Sequence, residues 1–248
     1  MRLALLSVDS GPAPRAEVPG SFASRHTAAD AAGVDAALAA LEAGPGRLGS
    51  DTRLVIDAGL AGLNLALHRL LRRGLLETLE TAVLAREPVP YLSRLGLPAD
   101  LDGQLRVAGS APARLVGVVK DDSGGVCVDA ASMGPWDGKP AGPRWWLRAV
   151  VDDQRLADGG AHGLRLRRLG PAELEATVRL GRLRSRTCRG RSLQLASDPA
   201  LIVTDGLPRE RPRGKRTFWS EPALWWLALP AENVAGQSWW RSRTGGGH

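Results

Sequence analysis

Cysteine is scarce in this chain. Cys127 and Cys188 are the two it has among 248 residues. They stand too far apart for a zinc-ligand pair, and two thiols are not a disulfide framework. Lysine is nearly absent beside arginine, a bias that a GC-rich genome produces as readily as selection for guanidinium chemistry. No run approaches the roughly 18 apolar residues that span a bilayer. Met1-Arg2-Leu3-Ala4-Leu5-Leu6 is too short, and too soon followed by Asp9, for a signal peptide. A cytoplasmic chain is therefore expected. No G-x-S-x-G occurs, and His26, His68 and His162 lie in unrelated contexts. Ser/His/Asp hydrolysis has little to stand on.

What is present fits a folded protein of one large or two small domains, with 44% apolar residues. The formal charge is +7 and uneven, because the first 107 residues hold 11 Arg against 12 acids. The basic excess lies in the second part. It suits phosphate, anionic lipid or nucleic acid, and it equally suits a solvated face.

In chain order, Leu3–Val8 reads as a strand, and Pro12 to Thr27 as Pro/Gly/Ala-rich loop. Ala28–Ala43 places Val34, Leu38 and Leu41 at helical spacing, stopped by Gly44-Pro45-Gly46. Leu54–Ile56 then reads as a buried strand, Asp57–Gly62 as a small-residue turn and Leu63–Leu71 as an apolar helix. Strand, Gly-containing turn and helix start make a phosphate cradle, where backbone N–H groups and the helix dipole meet an anion. This turn has two glycines and one Asp, and no Lys, Ser or Thr. Leu79–Ala85 is a third strand. Pro88-Val89-Pro90 is not regular helix, and Leu92–Leu97 resumes an apolar pattern. The whole reads βαβαβ, a parallel layer domain over residues 1–107.

After Val107 the texture changes to short apolar runs divided by turn signals. Ala113–Lys120 and Val126–Ala130 flank Asp121-Asp122-Ser123-Gly124-Gly125, which has hairpin chemistry. Trp145–Val151, Leu164–Leu169, Ser192–Ala196, Leu201–Thr204, Arg216–Trp219 and Leu224–Leu229 follow. An antiparallel β-sandwich over 108–230 is predicted, then a mobile tail over 231–248. Pro171–Leu183 reads as a helix, with Glu173 and Glu175 early and Arg182 and Arg184 late. Arg165, Arg167, Arg168, Arg179 and the arginines up to Arg191 form a dense basic stretch. The pairs Trp145-Trp146, Trp225-Trp226 and Trp239-Trp240 share this part. Arg with Trp fits an anionic membrane surface or, less favoured, nucleic acid. At least one Trp of such strand pairs faces the core.

The order of these pieces resembles the diacylglycerol kinase catalytic-domain family, whose fold is shared with sphingosine kinases and NAD kinases. Arg53-Leu-Val-Ile and Leu63-Asn-Leu-Ala-Leu67 match the strand and helix around that family's G-G-D-G-T loop. Leu115–Asp129 resembles the first hairpin of its second domain. Gly190-Arg191-Ser192-Leu193, Asp198-Pro199, Asp205-Gly206 and Glu221-Pro222-Ala223-Leu224-Trp225 resemble its closing strands. The resemblance implies an N-terminal α/β domain, a C-terminal β-sandwich and an active site between them. It also implies transfer of the ATP γ-phosphoryl to a lipid hydroxyl with Mg²⁺.

Residue by residue, that loop falls on Ala58-Gly59-Leu60-Ala61-Gly62, so Gly59 and Gly62 are the nucleotide-binding candidates. The family's loop Asp is Leu60 here, and its Thr is Gly62. Its second nucleotide motif, G-T-G-N-D, falls on Arg86-Glu87-Pro88-Val89-Pro90 without a match, and its first-strand motif is reduced to Asp9-Ser10-Gly11. Its D-G-E falls on Asp205-Gly206-Leu207, which keeps the catalytic-base candidate Asp205 and replaces the metal-network Glu. No metal ligand set emerges. Part of the sandwich centre is expected to be missing between Gly134 and Leu164. Asp-Gly between apolar runs is also ordinary hairpin chemistry, so both roles stand open for Asp205.

Two functions are therefore expected. The first is a divergent lipid kinase relative, weakly active or a pseudokinase, with ATP and Mg²⁺ doubtful from the residues present. The second is a non-enzymatic basic module for anionic membrane or nucleic acid, peripheral to a membrane in the first case.

Overall fold

The computed structural model describes residues 1–9, 18–43, 51–135, 145–170, 172–209 and 211–231. The first part is a parallel sheet. β1 (Arg2–Val8) pairs on one side with β2 (Ser24–Ala28) and on the other with β3 (Thr52–Ala58), which pairs in turn with β4 (Thr81–Ala85). Leu54, Val55 and Ile56 of β3 are fully buried, as an unbroken apolar run between two neighbours requires. Among the described residues four helices accompany it: α1 (Ala31–Ala43), α2 (Leu60–Arg72), α3 (Pro90–Arg94) and α4 (Leu101–Ser110). α4 begins on Asp100, whose carboxylate accepts from Gly103 N at 2.7 Å. Its last carbonyls are met from inside the sheet. Arg53 of β3, 2% exposed, donates to Ala108 O at 2.8 Å and pairs with Glu80.

The second part is antiparallel. Its strands are β5 (Ala113–Asp121), β6 (Val126–Cys127), β7 (Ala130–Pro135), β8 (Trp145–Val151), β9 (Gln154–Ala161), β10 (Gly163–Gly170), β11 (Glu173–Arg179), β12 (Ser185–Gly190), β13 (Ser192–Thr204), β14 (Leu207–Pro208) and β15 (Arg213–Ala228). The main path runs β12-β11-β10-β7-β13-β15 and continues through β4, β3 and β1 to β2. The join is narrow, a single parallel pairing of Leu227 with Thr81. Side chains reinforce it. Trp225, fully buried, donates its indole N–H to Thr81 Oγ1 at 2.6 Å, and that hydroxyl donates to Trp226 O at 2.7 Å.

Two apolar cores result. One lies around the parallel sheet and its helices and takes in Val116, Val118, Trp225 and Leu227. The other lies within the antiparallel strands around Leu147, Leu166, Leu174, Leu193 and Phe218. β5 and β15 contribute to both, so the two cores share strands.

Several expectations change. The helix over Pro171–Leu183 is instead β11, in which Leu174, Ala176 and Val178 are buried and alternate with outward Glu175 and Thr177. Period-two burial outweighed the end charges that suggested a helix. Part of the loop before Thr27 is the parallel strand β2. α3 starts on Pro90, which suits a first helical position because its missing N–H would have no helical partner there. Between Gly134 and Leu164, β8 is the strand expected over Trp145–Val151, and β9 follows it where no strand is expected. β13 and β15 each run on where two short strands are expected, across register shifts at Ala196/Ala200 and Glu221/Trp225. The tail from 232 onward, with Trp239-Trp240, lies outside the described residues, as do Ser10 and Gly11.

Candidate functional site

The turn between β3 and α2 is much shorter than the sequence suggests. α2 begins at Leu60, so Gly59 alone separates it from the strand. Leu60, Ala61 and Gly62 form the first helical turn, and Gly62 is buried within it. Leu and Ala favour helix, and nothing in this stretch asks for an open loop.

The first amides of a helix have no acceptor within it. Leu63 N is bonded to Gly59 O at 2.9 Å. The amide of Leu60 is taken by a side chain from another loop, donating to Glu87 Oε1 at 2.8 Å. A carboxylate thus sits where an anion would meet the positive end of α2. Gly59 makes room for it, since a Cβ there would approach Glu87 Oε1 to 3.1 Å. Its φ of −72° is open to any residue, so the approach of Glu87 is what a side chain would disturb.

Arg86, the residue before, is locked by two acids at the strand ends. Its Nε donates to Asp57 Oδ1 at 2.9 Å, one terminal nitrogen to Asp57 Oδ2 at 2.8 Å, and the other to Asp9 Oδ1 at 2.5 Å. Asp57 is 4% exposed. The hydrogen bonds to Asp57, working against burial and joined by that to Asp9, hold the guanidinium above its ordinary range. The C-terminal ends of β1, β3 and β4 are therefore tied together by an Asp–Arg–Asp cluster, with the exposed Glu87 next in sequence to its arginine.

Asp205 lies nearby, as the resemblance implies. A Cβ on the following residue, Gly206, would stand 3.8 Å from Ala61. The residues aligned with two family motifs are thus brought together. Asp205 and Gly206 form the two-residue turn between β13 and β14, with φ of 50° and 84°. The Asp205 carboxylate is 2% exposed and saturated. One oxygen accepts from Asn64 Nδ2 at 2.8 Å and Val128 N at 2.6 Å, and the other from Asp129 N and Ala130 N at 2.9 Å each. The Cys127 thiol lies 3.7 Å from it. Burial pushes the carboxyl up, and the amides of Val128, Ala130 and Asp129, with Asn64, pull it back. The arrangement fixes the bend between β6 and β7 to the β13–β14 turn and to α2.

Asn64 and Glu87 went unassigned in the sequence. Asn64 is 1% exposed and also donates to Val126 O at 2.6 Å. A buried Asn in an apolar helix is a visible sign of a required partner. The dense arginine stretch divides. Arg168 is 1% exposed and lies over the Tyr91 ring at 4.4 Å, whereas Arg165, Arg167 and Arg189 face outward, with Arg189 paired to Glu175. Trp145 is buried and Trp146 exposed, as alternation requires.

No protein-family model matches the chain, and no curated protein is detectably similar in sequence. Solved structures are similar in fold. A protein described as a diacylglycerol kinase from Bacillus anthracis str. Sterne superposes with a TM-score of 0.67 at 9% identity, covering 94% of this chain and 98% of that one. A second diacylglycerol kinase structure from that organism gives 0.63 at 10% identity over the same shares. An NAD kinase from Archaeoglobus fulgidus in complex with ATP gives 0.54 at 11%, covering 98% and 100%. The chain has the diacylglycerol kinase and NAD kinase-like fold.

Proposed function

We propose that this protein is a pseudokinase on the lipid kinase fold, a binding protein that does not transfer phosphoryl groups from ATP. One observation carries the reading: the Glu87 carboxylate takes the Leu60 amide at the N-terminus of α2, where a nucleotide phosphate would need it. Like charge would then oppose a triphosphate directly. Arg86, the cation beside Glu87 in sequence, is committed to Asp57 and Asp9. The residues present therefore do not fit ATP in the family's cradle, and Gly59 and Gly62 serve helix packing in this reading. Asp9 and Asp57 share a guanidinium, so Mg²⁺ would have to displace Arg86 to reach them. A base toward a lipid hydroxyl needs a free lone pair facing the substrate. Asp205 spends its oxygens on four N–H donors instead.

The test is radiolabelled γ-phosphoryl transfer from ATP to diacylglycerol with Mg²⁺, in mixed micelles, using the full chain. Background counts are expected, unchanged by Asp205→Asn. Turnover that Asp205→Asn abolishes, at unchanged fold, would sink the proposal.

A further inference from the structure

On another side of α2 lies a cleft of 490 Å³ with no acidic side chain among its described lining residues. Arg69 and Arg72 reach it from α2. Arg209, Arg211, Arg213 and Arg216 reach it from β15 and the segment before it. We propose that this cleft binds a small ligand bearing two or more phosphate groups. The site is independent of the occupied cradle and uses none of its residues.

The six guanidiniums differ in what they already hold. Arg69 is paired with Asp35, and Arg216 with Asp122 at 2.9 Å. Arg209 lies 3.4 Å from Asp121. Arg72, Arg211 and Arg213 have no side-chain partner among the described residues and are exposed at the mouth. Among those residues none of the three makes an ion pair, although Arg72 lies near enough to Asp35 to help hold its carboxyl low. Three guanidiniums lining one cleft from α2, β15 and the segment before it exceed what one monoanion neutralises, and planar forks suit phosphate oxygens.

The inner wall supplies a second, separate observation. Arg216 is 6% exposed, yet its Nε has no hydrogen-bond partner. Arg209 Nε and His68 Nδ1 are buried and unpartnered as well. These three atoms are half of the six such side-chain atoms among the described residues, and all belong to residues lining this cleft. Buried polar groups are ordinarily satisfied. These three atoms are themselves out of contact with the cleft's open space, so the exposed guanidiniums of Arg72, Arg211 and Arg213 are what a seated anion would meet. Burial, then Arg209, Arg69 and Arg72, hold the His68 imidazole below its usual range, so it is neutral at pH 7 and one ring nitrogen can donate. The volume is that of a small-molecule site, and the concavity sets it apart from the outward arginines of β10 and β12.

The probe is inorganic tripolyphosphate, titrated into the full chain at fixed ionic strength and followed by calorimetry and by melting temperature. Saturable binding at micromolar to low millimolar concentration is expected, with sulfate at least 10-fold weaker. The double variant Arg72→Gln/Arg213→Gln removes two exposed, unpaired cations and should fold normally. It is expected to lose at least 10-fold in affinity. A parallel arm uses phosphatidylcholine vesicles with and without a bisphosphorylated inositol lipid. Co-sedimentation that the double variant loses assigns the phosphates to a lipid headgroup; tripolyphosphate binding without co-sedimentation assigns them to a soluble compound. Absence of saturable tripolyphosphate binding overturns the proposal, as does equal binding by the double variant. Single-stranded DNA that binds more tightly than tripolyphosphate, and competes with it, would overturn the small-ligand assignment.

Discussion

At the scale of single residues, Asp205 and Glu87 carry most of the account. Removing the Asp205 carboxylate strands four buried N–H donors at once. Asp205→Ala is expected to cost at least about 3 kcal/mol, since each unsatisfied buried group costs about 1–3 kcal/mol. Asp205→Asn should also destabilise, because an amide NH₂ would confront donors already aimed at that position. Urea unfolding of both variants checks this. Wild-type stability in Asp205→Asn would mean that the carboxylate is not a structural anchor. For Glu87, replacement by Gln keeps an acceptor and removes the charge at the helix terminus. A loss of about 0.3–1 kcal/mol is expected at low salt, shrinking as salt rises. Salt-independent stability loss would mean that the helix charge is not what Glu87 serves.

At the scale of elements, the sequence disclosed what burial repeats and hid what tertiary contacts decide. β3, α1, β8 and the β5–β6 hairpin were legible because apolar periodicity and Asp-Gly or Gly-Gly turns are local. β11 was misread because Pro171 and its flanking charges imitate helix ends. Alternation at Leu174, Ala176 and Val178 was present and was the better guide. β2 was hidden because only part of it is buried, and Ser24-Arg25-His26-Thr27 carries no apolar alternation. At the candidate site, the pairing of Asp205 with the loop before α2 followed from the resemblance. The closure of that loop by Glu87 did not, because it joins residues 27 apart through a side chain. The seam between β4 and β15 offers a test at this scale. Thr81→Val removes the hydroxyl that links Trp225 Nε1 to Trp226 O. It should cost about 1–3 kcal/mol by leaving a buried indole N–H unsatisfied. A neutral effect in urea unfolding would show that backbone pairing alone holds the seam.

At the scale of the molecule, charge is distributed so that stability depends on pH in two windows. His68 is held below its ordinary value of 6.5, so as pH falls below that value the unfolded chain takes up the proton first and stability is lost. Asp35 is held low by Arg69 and resists protonation in the folded state. Asp121 and Asp152 are also low: burial raises them, and hydrogen bonds from Ser123 and Gly125, and from Arg191 and Ser192, prevail. Their contribution is present above the ordinary carboxylate value of 3.8 and is lost as pH drops through their lower folded values. His68→Gln should flatten the stability profile between pH 7 and 5 and leave the acid limb intact. A profile unchanged by that substitution would remove His68 from the account.

The basic excess noted in the sequence thus has a concave outlet in the Arg72–Arg213 cleft, while the cradle expected to receive phosphate is filled from within. Among the described residues no helix is long and apolar enough to cross a membrane. The occupied cradle and the proposed cleft are separable by substitution, which makes one measurement decisive. Calorimetric titration of Mg·ATP into the Arg72→Gln/Arg213→Gln variant, where the cleft is weakened, with and without Glu87→Gln, separates the cradle from the cleft. The account predicts no saturable heat that depends on the residue at position 87. Saturable submillimolar binding in that variant, altered by Glu87→Gln, would contradict it.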